Sequence, residues 1–176
     1  MYKTIVLDPP WAETGGGKIK RGADRHYPLV RTPALPTLIT SCPYWPGVAK
    51  DAHMYMWVTN NFLKDGLWLM DQLGFTYKTN VVWVKQRIGL GQYFRGKHEL
   101  CLFGVKGDSY AVRTADKTIS SVITADRGQH SKKPDAFMEL VEKRSKGPYL
   151  EVFARREREN WTCWGNEVGG DNEKED

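Results

Sequence analysis

The strongest constraint on this chain is an alternation. Seven short β-rich runs, several of them nearly continuous in apolar residues, are interleaved with segments of helical period. The runs cover residues 2–7, 53–58, 77–85, 99–105, 121–124, 149–153 and 161–164. A strand with one wet face alternates polar and apolar residues, so continuous runs point to strands covered on both sides. The clearest helix spans 61–73, where Leu63, Leu67 and Met70 recur at helical spacing and Lys64, Asp65 and Asp71 supply a wet side. A second opens at Lys133-Pro134-Asp135, where Pro suits the first turn, and continues through Phe137, Leu140 and Val141. A weaker third covers 34–40. This order predicts an α/β fold, an open sheet with helical crossovers. At 176 residues it fits one domain, residues 1–168, with 169–176 as an acidic tail expected to fray.

Several function classes drop out. No run approaches the roughly 18 apolar residues that would span a bilayer, and the first apolar stretch is too short for a secretory signal and reaches Asp8 at once, so none is expected. Cys42, Cys101 and Cys163 are odd in number and far apart, which fits neither a disulfide framework nor a zinc site and predicts a cytoplasmic protein. Gly15-Gly16-Gly17-Lys18 is followed by Ile19 where a phosphate loop needs Ser or Thr. Gly89-x-Gly91 follows a strand but leads into another strand, not the helix that a dinucleotide fingerprint requires. His98-Glu99 lacks the second His of a zinc helix, so no metal is expected.

Two segments resist the alternation. Residues 12–32 carry three consecutive glycines, and within them Lys18, Lys20, Arg21, Arg25 and Arg31 stand against a single Asp24 between positions 18 and 31. Residues 86–96 mix glycine, arginine and aromatics. A long loop in a small domain is either functional or disordered. The basic run reads either as a solvated loop or as a contact for a polyanion such as nucleic acid, in a chain of net charge +5.

The most informative segment is Asp8-Pro9-Pro10-Trp11, at the end of the first predicted strand. Two prolines make a stiff corner without backbone N–H groups, leaving carbonyls and the Asp8 carboxylate as acceptors and Trp11 as a flat apolar face. Such a corner suits a planar ligand with an amino group, or is simply a rigid turn that happens to contain Trp. Its position at the carboxyl end of a strand is where open α/β sheets bind ligands.

These four residues resemble the catalytic motif of the MT-A70 family of S-adenosylmethionine-dependent N6-adenine methyltransferases. The likeness continues, in the family's order, through Met56-Trp57-Val58-Thr59-Asn60-Asn61, residues 77–85, and Arg95-Gly96-Lys97-His98-Glu99-Leu100-Cys101-Leu102. It then takes in His130-Ser131-Lys132-Lys133-Pro134-Asp135, residues 150–155, and Asn160-Trp161-Thr162-Cys163-Trp164-Gly165-Asn166-Glu167. The resemblance implies a Rossmann-like methyltransferase sheet of about seven strands with flanking helices in permuted motif order, the catalytic strand first and the cofactor strand late. The late strand lacks the glycine-rich turn of methyltransferases in general, as is common in this family.

The resemblance also implies site residues. Asp8, Pro9, Pro10 and Trp11 would be catalytic, with the target amine bonded to Asp8 and the Pro9 carbonyl and its base packed on Trp11. Lys97 would pair with the methionine carboxylate of S-adenosyl-L-methionine. Ser131, Glu151, Phe153, Arg155, Arg158, Asn166 and Glu167 complete the expected cofactor set. Ser131 and Lys133 lie at a helix start, which suits an anion or simple capping. Only seven residues precede Asp8, so the cofactor's adenine is expected near Asn166 and Glu167. Lys18, Lys20, Arg21 and Arg25 would contact phosphates, and Tyr27 would stack on a base or anchor its loop. The expected polymer is DNA rather than RNA, because the chain is a minimal domain. A non-catalytic partner subunit is the alternative, and the intact motif favours an enzyme. Whether it works as a monomer or a homodimer is not written in the sequence.

Overall fold

The computed structural model describes residues 1–13, 29–126 and 132–168. Seven strands form one mixed sheet: β1 (Tyr2–Leu7), β2 (Val48–Val58), β3 (Thr76–Val84), β4 (His98–Lys106), β5 (Val122–Thr124), β6 (Tyr149–Val152) and β7 (Trp161–Trp164). Their order across the sheet is β5-β3-β4-β2-β1-β6-β7. β1 pairs in parallel with β2 and β6, β6 with β7, and β3 with β5. β4 alone runs the other way, antiparallel to both β2 and β3. The helices are α1 (Leu35–Thr40), α2 (Leu63–Gln72), the single turn α3 (Ser109–Val112) and α4 (Asp135–Arg144).

The apolar runs are explained by two cores, one on each face of the sheet. On one face Ile5, Leu7, Met54, Met56, Leu102, Leu150 and Val152 meet Leu35 and Ile39 of α1 and Leu69 and Met70 of α2. On the other, Val6, Tyr55, Trp57, Val81, Trp83 and Cys101 meet Phe137, Leu140 and Val141 of α4. Phe137 and Val141 are fully buried, and each contributes about 1.5–3 kcal/mol. α4 carries Asp135 in its first turn and Lys143 and Arg144 in its last, each sign matching the helix dipole.

The predicted elements are all present, with some corrections. β2 begins five residues earlier than its β-rich run, at Val48. β6 ends at Val152, because Phe153 takes a left-handed φ of 66° that no strand allows. The expected inner face of α2 is rotated: Gly66, Leu69 and Met70 are buried, while Leu67 is exposed with Trp68 beside it. The cause is close approach, since a Cβ on Gly66 would run into the Val58 side chain under it. No helix among the described residues is long and apolar enough to cross a membrane.

This order brings several chain ends to one edge. The carboxyl ends of β1, β2, β3 and β6 lie there together with the amino end of antiparallel β4, whose Leu100 pairs with both Val58 and Val82.

Candidate active site

Asp8 follows β1 at that edge, its N–H directed to the Val152 carbonyl of β6 at 3.5 Å. The prolines then turn the chain inward. Trp11 N–H donates to the Pro9 carbonyl at 2.9 Å, closing a tight three-residue turn around Pro10, and Val30 N–H donates to the Pro10 carbonyl at 3.1 Å. The carbonyls expected to be free acceptors are thus already engaged, although each keeps a second lone pair. Trp11 also departs from expectation. It is 4% exposed, its ring stacks on Phe62 at 5.4 Å, and its indole N–H donates to the Trp57 carbonyl at 3.0 Å. Its flat face is spent on the core, where it locks the corner to the end of β2, and is not presented to a ligand.

The electrostatics around Asp8 come from distant parts of the chain. Lys133, just before α4, places Nζ 3.6 Å from Asp8 Oδ2 and 3.1 Å from Glu99 Oε2. Lys85, just after β3, places Nζ 2.7 Å from Glu99 Oε1. Two cations and two carboxylates form one neutral chain. Burial by itself would raise the Glu99 carboxyl, but Lys133 and Lys85 outweigh it and bring it down to about 2. Burial would lower Lys133, and Asp8 and Glu99 reverse this, so its pKa is raised and it stays charged. Its ammonium also lies 4.9 Å from the Trp57 ring centre.

Beside Asp8 opens a cavity of about 400 Å³, within the range of small-molecule sites. Trp57, Phe137 and Phe153 give it aromatic walls. Asp8, Glu151 and Glu167 face it with carboxylates, and Lys132, Lys133, Arg155, Arg156 and Arg158 with cations. Burial, with Asp8 adding to it, pushes the Glu151 carboxyl up to about 7 against the pull of Arg158. Two buried donors, Trp57 Nε1 and Arg158 Nε, make no hydrogen bond among the described residues. The Arg158 guanidinium is held at its far end by Asp135 at 3.3 Å, and Arg156 pairs with the same carboxylate.

Of the residues expected to bind a cofactor, Glu151, Phe153, Arg155, Arg158 and Glu167 line this cavity together with Asp8. Lys97 does not. It is exposed and precedes β4, whose first residue is His98. Asn166 is also exposed and outside the lining. Lys18, Lys20, Arg21, Arg25, Tyr27 and Ser131 lie outside the described residues. Sequence reasoning missed Glu99, dismissed as half of a zinc motif, and saw Lys133 only as a helix-start residue. The available signal was that both sit inside matched blocks, Glu99 two residues from Lys97 and Lys133 two residues from Ser131.

A carboxylate at a strand end, opening on a mixed aromatic and charged cavity, suits transfer to an amine from a zwitterionic, ring-bearing donor. Comparison with known sequences points the same way. A sequence model described as MT-A70 matches residues 2–167. The chain is 29% identical to the Type II methyltransferase M.MunI of Mycoplasma sp, over 95% of this chain and 78% of that enzyme. It is 28% identical to a probable N(6)-adenosine-methyltransferase MT-A70-like of Oryza sativa subsp. japonica, over 96% of this chain and 23% of the relative. It is 29% identical to the N(6)-adenosine-methyltransferase catalytic subunit METTL3 of Homo sapiens, over 71% of this chain and 23% of that subunit. It therefore spans less than a quarter of the length of these rice and human relatives. With nearly its whole length matched and Asp8 of the motif lining the cavity, this chain belongs to the MT-A70 family of S-adenosylmethionine-dependent N6-adenine methyltransferases.

Proposed function

We propose that this protein methylates N6 of adenine in DNA. The observation that carries the reading is that Asp8 shares one cavity with Glu151, Phe153 and Arg158, so the acceptor's partner and the expected cofactor residues face each other. S-adenosyl-L-methionine fits this lining. Aromatic walls suit its purine, the unpaired Trp57 and Arg158 donors suit its polar edges, and Lys133 can pair with its carboxylate in the part expected of Lys97. When bound, this cofactor supplies a methyl group already activated on a sulfonium.

The protein's own task is to make a poor nucleophile reactive. The lone pair of an exocyclic adenine amine is delocalised into the ring. Asp8 can accept a hydrogen bond from the amine, favour localisation of the lone pair, and stabilise positive charge as it develops on nitrogen. The second lone pair of the Pro9 carbonyl would hold the other N–H. Lys133 fixes the Asp8 carboxylate, and Asp8 can take the proton that the methylated nitrogen sheds. The rigid corner supplies the orientation, an effect worth about 7–11 kcal/mol in favourable systems.

An adenine stacked in a duplex cannot reach this corner, so it must be extruded or presented single-stranded. DNA is proposed over RNA on the M.MunI likeness, in which this chain covers 78% of the relative. Free thiols at Cys42, Cys101 and Cys163 support action in the cytoplasm. The test is incubation with labelled cofactor and matched DNA and RNA oligonucleotides, followed by nucleoside analysis. N6-methyladenine from DNA is expected; label confined to RNA would move the substrate, and label in neither would refute the activity.

A further inference from the structure

The hairpin loop between β3 and β4 is unused by the chemistry, yet it holds the most exposed aromatics among the described residues. Tyr93 is fully exposed and Phe94 is 85% exposed, with Ile88 and Leu90 more than half exposed beside them. Soluble proteins seldom present such a cluster without a partner for it. The loop is also built rather than slack. Gly89 N–H donates to the Gly96 carbonyl at 2.6 Å, and Phe94 N–H to the Gln92 carbonyl at 2.6 Å. A side chain on Gly91 would collide with the Phe94 carbonyl, and Tyr93 sits at a left-handed φ of 60°. The backbone therefore turns the two rings outward and holds them there.

Charge decides what meets them. From Lys85 to His98 there are four Lys or Arg residues and no acid. Lys85 is paired with Glu99, but Arg87, Arg95 and Lys97 are exposed and meet no carboxylate within ion-pair distance among the described residues. Rings interleaved with unpaired cations suit single-stranded or opened nucleic acid, whose bases stack and whose phosphates pair. The loop also stands in the right place. Its two stems begin at Lys85 and Glu99, and Glu99 reaches Asp8 through Lys133 alone. Strand order sets β3 and β4 on the β2 side of β1, opposite β6, whose end supplies Glu151 to the cavity. A base held at Asp8 thus has the cofactor cavity beside it and the stem of this loop one lysine away.

We infer that the 86–96 loop is a substrate clamp: Tyr93 and Phe94 stack on bases next to the target adenine, and Arg87, Arg95 and Lys97 hold the flanking phosphates. The inference rests on the nucleic-acid reading above. The test compares the wild type with Tyr93→Ala/Phe94→Ala and with Arg87→Gln/Arg95→Gln/Lys97→Gln. The probe is an adenine-containing DNA oligonucleotide with 2-aminopurine beside the target. Wild type should perturb the probe's fluorescence by stacking. The aromatic variant should lose that signal and bind the oligonucleotide roughly 5- to 150-fold more weakly per lost stack, with cofactor affinity intact. The basic variant should lower the salt slope of log K by about 2–3. Unchanged oligonucleotide affinity in both variants would overturn the clamp. So would a switch from dimer to monomer in light scattering with oligonucleotide affinity retained, which would mark the loop as an interface between copies. If wild type binds and perturbs the probe but transfers no methyl group, the clamp stands and the proposed activity falls.

Discussion

Glu151 offers a measurement that links the fold to the site. Its carboxyl is raised from an ordinary 4.5 to about 7, first by burial and further by Asp8. In the unfolded chain it ionises near its ordinary value. Between those two pH values the native state holds a proton that the unfolded state has released, so stability is full below 4.5 and falls as pH rises through 7. At about 1.36 kcal/mol per pH unit, the ionised form costs the fold about 3 kcal/mol above pH 8. Glu151→Gln removes that cost while keeping size and shape. Urea unfolding of wild type and variant should show the variant gaining about 2–3 kcal/mol more at pH 8 than at pH 5, with equal m-values. The same variant should bind S-adenosyl-L-methionine more weakly, because a group kept at such cost faces the cavity. A stability difference that does not change with pH would refute the reasoning, as would a variant less stable at pH 8 than at pH 5 relative to wild type.

Three further outcomes are expected. Asp8→Ala should lose about 100- to 1,000-fold or more in methyl transfer, as for removal of a preorganised transition-state partner, and still bind cofactor in calorimetry; near-normal turnover would remove Asp8 from the mechanism. Trp11→Phe should lower stability by about 1–2 kcal/mol through its lost bond to the Trp57 carbonyl, with little change in KM for the oligonucleotide. A large KM effect would restore its role as a stacking platform. His53 bonds Ser145 Oγ at 2.7 Å and the Ser109 carbonyl at 3.0 Å, and burial lowers its pKa from 6.5. Its contribution is therefore complete above 6.5 and is lost as pH falls below that value, so Tm should drop on acidification more in wild type than in His53→Gln.

What the sequence disclosed and what it hid divide along physical lines. Elements set by local pattern were legible: β1 and β7 fall on their apolar runs, and Pro134 marked the start of α4. The Asp-Pro-Pro corner was legible too, because proline dictates its own backbone whatever surrounds it. Side-chain direction was not. A tryptophan in a turn reads as exposed, and only the arrival of Phe62, just before α2, and of the end of β2 shows that Trp11 is enclosed. The same limit explains the lysines. Lys97 and Lys133 both sit beside turns or helix starts in matched blocks, and no periodicity says which one faces Asp8. That is decided by β4 inserting antiparallel between β3 and β2, a pairing that joins residues about 45 apart in the chain for Trp57 and Cys101. The insertion carries Glu99 to the edge beside Asp8, and the electrostatic demand of two neighbouring carboxylates is met by Lys133. The reversed strand therefore does two things at once. It delivers the second acid of the site, and it obliges the chain to leave that edge and return to it through the loop that carries Tyr93 and Phe94.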